Sequence, residues 1–233
     1  MIRFDKMFDL TLGRLFAKLA TNGRNPIHEN WKRTHQWDAD HSNTAGIIES
    51  DPNRPALERA IELKSEATEA MFPIWKELAE NGSAFAMNEV AWHYLAGKDV
   101  EQNRAMAIHW HRSAERSGSQ WAALRLAKLL AEQDDHTGVE EALTPQVASG
   151  WAPAKFWLAW YRLQSSQARA QLDSARELLE EAMDAGHPGA KWYLGRLMAQ
   201  GRFGWKNRSH GRKILMDLSP EIIGEIEAPP KPD

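Results

Sequence analysis

Along the first twenty positions Phe8, Leu12, Leu15, Phe16 and Leu19 fall on one stripe at helical spacing, with Asp5, Lys6, Asp9, Arg14 and Lys18 among them. That pattern predicts an amphipathic helix docked on the protein's own core, with a membrane-surface helix, its basic residues Arg3, Lys6, Arg14 and Lys18, as the less favoured alternative. Its charges break every apolar run, so neither a signal-peptide core nor a transmembrane segment is predicted, there or later in the chain. Residues 21–54 lose the period. Asn22-Gly23, Asn25-Pro26, Ser42-Asn43 and Asp51-Pro52-Asn53-Arg54-Pro55 are turn chemistry, and the segment reads as loop-rich. Residues 55–219 regain a helical period rich in Ala, Leu and Glu, with no strand-like alternation. The tail 220–233, ending APPKPD, reads as disordered.

The helical stretch repeats itself. Gly82, Gly118, Gly150 and Gly186 stand 36, 32 and 36 residues apart. Four positions after each comes Ala86, Ala122, Ala154 or Ala190, and five further on Ala91, Ala127, Ala159 or Gly195. Val90, Leu126, Leu158 and Leu194 precede that second small residue. The glycine marks a left-handed helix end, which costs a residue with a side chain about 1–2 kcal/mol. The small pair marks a close approach of two helices, where bulk overpacks by about 1–3 kcal/mol. Each unit is thus a helix A (84–96, 120–131, 151–164, 188–199) followed by a helix B (103–117, 138–149, 171–185, 209–218), with a B-type helix at 69–81 before them. The unit at 119–150 is four residues short, and Thr144-Pro145 there predicts a restart of its B helix. Gly46 also lies 36 before Gly82, but Pro52 and Pro55 interrupt the helix a repeat would need after it, and the match reads as chance. The fold predicted is all-α, a right-handed αα superhelix.

Residues 83–119 carry Ala86, Ala91, Tyr94, Gly97, Val100, Asn103, Ala107, Trp110, Ala114 and Gly118, and this unit resembles a Sel1-like repeat, a relative of the tetratricopeptide repeat. Leu178, Ala182 and Gly186 repeat part of the pattern, as do Tyr193, Leu194, Gly195, Gly201 and Gly204. The unit at 119–150 departs most, lacking the loop glycines and placing Gln146 where alanine is expected. The resemblance implies a solenoid and, by family habit, a non-catalytic adaptor in signalling, secretion, cell-surface polysaccharide production or interbacterial competition.

Composition narrows the chemistry. The 233 residues hold 29 basic and 32 acidic side chains, so no global charge draws the protein to nucleic acid, and no nucleic-acid partner is expected. With no cysteine there is no disulfide, thiol chemistry or cysteine-ligated metal, and a reducing, cytoplasmic setting is expected. His109 and His111 lie on opposite sides of a helix and cannot share a metal. His35, Asp38, Asp40 and His41 could host a divalent cation, the basis of a less favoured metal-dependent hydrolase reading. No nucleophile elbow or phosphate loop occurs. Neighbouring pairs such as Glu140-Glu141 diverge by about 100° on a helix and form no acid–base couple. No catalytic residue, metal or cofactor is predicted.

Eleven tryptophans against three tyrosines redirect attention to surfaces. Helix-A offsets three, seven and ten form a face beside the packing stripe. It carries Phe85, Glu89, Trp92, Trp121, Arg125, Lys128, Trp157, Trp160, Tyr193 and Arg196. In stacked helix pairs this is the concave side, and aromatics with arginine make interface hot spots. The expected partner is a protein, as a peptide or acidic segment, unless shorter loops or the N-terminal helix bury the tryptophans. A carbohydrate module stacking sugars on the same face is the alternative. A second surface, Arg202, Trp205, Lys206, Arg208, Arg212 and Lys213, has no acidic neighbour and suits an anionic partner.

Overall fold

A computed structural model describes residues 37–66, 70–165 and 168–218. The predicted helix at 1–20, His35 and the tail 220–233 lie outside them. Among the described residues there is no strand. The chain is a right-handed αα superhelix, built from α1 (Thr44–Glu49), α2 (Arg54–Glu66), α3 (Phe72–Glu80), α4 (Ala84–Ala96), α5 (Arg104–Arg116), α6 (Gln120–Ala131), α7 (His136–Ala148), α8 (Ala152–Ser165), α9 (Arg169–Asp184), α10 (Pro188–Gln200) and α11 (Arg208–Met216). The A helices are α4, α6, α8 and α10, and each packs on the B helix that comes after it. Residues 37–40 are also helical.

The repeat glycines do what the spacing requires. Gly82, Gly118, Gly150 and Gly186 have φ of +94°, +89°, +86° and +87°. Each amide bonds the carbonyl three residues back, and the next amide bonds the carbonyl five back, for example Gly118 to Glu115 and Ser119 to Ala114. This pairing closes the B helix with a Schellman end. The same next residue then opens the A helix: Ser83 and Ser119 accept the amides of Ala86 and Ala122 through their hydroxyls, and His187 accepts that of Ala190 through Nδ1. The alanine column is fully buried at all four copies. At the fourth copy Gly195 faces α11 so closely that a Cβ there would meet Ile214 and Leu215 at 3.0 Å.

Two expectations need correction. The B helix of the short unit does not restart at Thr144-Pro145: α7 runs unbroken through Pro145, and the Thr144 hydroxyl donates to the Glu140 carbonyl instead of capping. Val139, Ala142 and Leu143 on the buried face hold the helix across the missing amide. Residues 37–54 are also less loop-like than their turn residues suggest, since α1 fits between Asn43 and Ser50. Gly46 sits inside α1 and ends no helix.

Candidate functional site

Along the helix-A face the chain covers part of its own predicted binding surface. Asp38, 1% exposed, accepts the Trp157 indole N–H at 2.7 Å through Oδ2 and faces His187 Nε2 at 2.9 Å through Oδ1. Because His187 Nδ1 accepts the Ala190 amide, its proton is on Nε2, and the ring donates to Asp38. Phe156 stacks on His187 at 4.5 Å, and Trp37 meets its edge at 4.7 Å. The Trp151 indole donates to the His41 carbonyl at 2.8 Å. Asn43 donates to the Gly118 carbonyl at 2.7 Å and accepts the Gln120 amide at 3.1 Å. Residues 38, 41 and 43 therefore touch the helix-A starts of three units in turn, running from the last repeat back toward the first.

This strap over Trp157 and the packing of the helices on one another decide which predicted residues are accessible. Trp157, Trp160 and Tyr193 are 1%, 7% and 7% exposed, so the aromatic platform expected there is core. Arg196 lies over Trp192 at 5.0 Å and does not join the groove residues. Phe85, Glu89, Trp92, Trp121 and Arg125 do come together. They line a groove of about 520 Å³ between α4 and α6, walled by Lys64 and Trp75 on one side and by Ala39, Asp40 and Thr44 of the strap on the other. Lys128, on the same helix face, is not part of it; burial lowers its pKa.

The groove's electrostatics are uneven. Glu89 is engaged by Lys64 at 2.6 Å. The Arg125 guanidinium stacks on Trp121 at 5.0 Å and makes no hydrogen bond to a described residue. Burial lowers its pKa from the ordinary arginine value, with Glu89 pulling the other way. Lys98 lies over Trp92, which is 42% exposed at the mouth. At the floor, His111 Nδ1 faces Asn88 Oδ1 at 3.1 Å, and Asn88 donates in turn to the Ser119 hydroxyl. His111 Nε2 and Trp75 Nε1 have no partner among the described residues. Burial, aided by Arg125, pushes the His111 pKa down to about 3. The floor histidine is therefore neutral near pH 7, and the lining sets Arg125, Lys98 and Lys64 against Glu89 and Asp40, a small positive excess.

Among the described residues no three His, Asp or Glu side chains gather as a metal site. Asp38 faces Trp157 and His187, while His41 Nδ1 turns back to the Trp37 carbonyl, so the pair does not converge on a cation. Arg202, Lys206, Arg208 and Lys213 are exposed near Trp205, itself 75% exposed, and Arg212 is half-buried; this terminal patch is separate from the groove. No described helix is long and apolar enough to cross a membrane.

Sequence reasoning missed Asn88, Trp75 and the capping role of His187, and it weighed Asp38 and His111 only as metal ligands, not as the strap's anchor and the groove's floor. The one signal for the cap was the column after each repeat glycine: Ser83, Ser119, Trp151, His187. Neither a protein-family model nor a curated protein matches this sequence. Solved structures do match its fold. One is a protective antigen present in uropathogenic Escherichia coli strains and displaying an SLR fold, with a TM-score of 0.54 and 19% identity over 77% of this chain and 44% of the other. Another is a Sel1 repeat protein from Oxalobacter formigenes, with a TM-score of 0.53 and 16% identity over 66% of each chain. The chain thus spans under half of the first and about two thirds of the second. The fold is that of the Sel1-like repeat, as the motif at 83–119 suggests.

Proposed function

We propose that this protein is a non-catalytic interaction scaffold that holds an extended acidic segment of a protein partner in the groove between α4 and α6. One observation carries the reading: Arg125 sits in an aromatic groove with no hydrogen-bond partner among the described residues. A partner carboxylate would supply the missing charge-assisted bonds, and Lys98 at the mouth adds attraction. Trp92, Trp121 and Phe85 would supply desolvating contact around that ion pair. Lys64 contributes less, because Glu89 already holds it.

The test is selection of binders from a random peptide library, followed by anisotropy titrations of the selected peptides. Asp- or Glu-containing sequences should dominate. Trp121→Ala should weaken them about thirtyfold, on the order of 2 kcal/mol. Arg125→Glu should remove the acidic preference, while Arg208→Glu with Arg212→Glu in the terminal patch should change little. Peptides that bind Trp121→Ala and Arg125→Glu as well as wild type would overturn the assignment.

A further inference from the structure

We infer that the rest of the concave channel, from α6 to α10, is a recognition site for an aspartate-bearing segment, and that residues 37–43 are its resident occupant. A partner segment of the same chemistry takes their place. This extends the scaffold reading from the open groove to the covered part of the face.

The contacts have the character of ligand recognition. Two N–H donors, from Trp157 on α8 and His187 at the start of α10, converge on one carboxylate. Neither donor belongs to the strap, and the sequence separations are 119 and 149 residues. The His187 tautomer is fixed from the far side by the Ala190 amide, so the ring presents a donor to the channel. Two further anchors lie at the preceding units, Trp151 to the His41 carbonyl and Gln120 with Gly118 to Asn43. A solenoid that reads an extended segment one unit at a time makes this kind of ladder.

The same chemistry fixes how the strap leaves. Departure alone strands two buried donors without acceptors, which is costly. Replacement by another carboxylate restores both bonds, so exchange is favoured over simple opening. The strap also competes from within the same chain at high effective concentration, and a free segment must overcome that advantage. Because Ala39, Asp40 and Thr44 wall the open groove, exchange of the strap reshapes that groove as well.

The probe is a labelled synthetic peptide of residues 35–46, HQWDADHSNTAG, titrated by fluorescence anisotropy against the full chain. Asp38→Ala, which weakens the strap and leaves its site intact, should bind the peptide at least about tenfold tighter than wild type. A peptide with Asn in place of Asp38 should bind that variant about thirtyfold more weakly. A folded Asp38→Ala that ignores the peptide overturns the proposal, as does equal binding to wild type, which would put the peptide elsewhere. If Asp38→Ala does not fold, Asn43→Ala decides in the same way, since it loosens the other end of the strap. Failure of both to fold with peptide in excess makes the strap an inseparable part of the core and overturns the proposal too. The peptide's anchors Trp157, His187, Trp151 and Gln120 lie outside the open groove. Failure of the Arg125 reading therefore registers in the library experiment and not in this one.

Discussion

Acid should destabilise this protein through His111 at the floor of its groove. The ring is 3% exposed, and its pKa falls from 6.5 to about 3 because burial disfavours the cation and Arg125 repels it. A histidine with a depressed folded-state pKa binds fewer protons than it does in the unfolded chain between those two values, so stability rises with pH across that window. Above pH 6.5 the group contributes no pH dependence. At pH 4.5 the unfolded chain is favoured by two pH units of proton binding, about 2.7 kcal/mol, and the full effect below pH 3 is about 5 kcal/mol. Other groups titrate over the same range, so the reading is a difference. Urea unfolding followed by tryptophan fluorescence at pH 7.5 and 4.5 would compare wild type with His111→Gln. The glutamine does not titrate and still reaches toward Asn88. Wild type should lose about 2–3 kcal/mol more than the variant between the two pH values. Parallel losses, within about 0.5 kcal/mol, would mean that the folded protein accepts the imidazolium and that the floor is not closed to charge.

Gly46 and Gly118, each 36 residues from Gly82, test the repeat register directly. Gly118→Ala, at φ +89°, should cost about 1–2 kcal/mol in thermal or urea unfolding, whereas Gly46→Ala, inside α1 with open space around its Cβ position, should be neutral or stabilising by up to about 1 kcal/mol. Ala122→Leu and Ala154→Leu, both fully buried, should each destabilise by about 1–3 kcal/mol through overpacking, and tolerance of both would show the alanine column is not at a helix contact.

The register was legible because its cause is local and recurs four times. A left-handed helix end selects glycine, and a close helix crossing selects alanine, wherever in the chain they occur. Helix limits came out within a few residues. Pro145 misled because a proline's local penalty says nothing of the buried Val139, Ala142 and Leu143 that outweigh it. The binding face was half legible for a different reason. Periodicity placed Phe85, Trp92, Trp121, Arg125, Trp157 and Trp160 on one side of the A helices. It could not say that Asp38, 119 residues before Trp157, would lie across the later ones. Such coverage depends on a pairing between distant segments, which leaves no periodic trace in either.

The residue after the repeat glycine differs between the first two units and the last two, and with it what the side chain can hold. In the first two units it is serine, 1% exposed, with its hydroxyl turned inward to cap its own helix. Neither hydroxyl bonds the strap, and among the described residues the groove between α4 and α6 is open. In the third unit tryptophan stands there, and its indole N–H reaches out to the His41 carbonyl. In the fourth, histidine does both tasks: one ring nitrogen caps α10 and the other holds Asp38. A serine at 187 could keep the cap but not bridge to the carboxylate. The same fold position thus reads as a plain cap or as a segment anchor according to side-chain length and the number of polar atoms it carries. The departures from the serine pattern at Trp151 and His187 mark the units that hold the strap through this side chain, whereas the second unit holds Asn43 through the Gly118 carbonyl and the Gln120 amide.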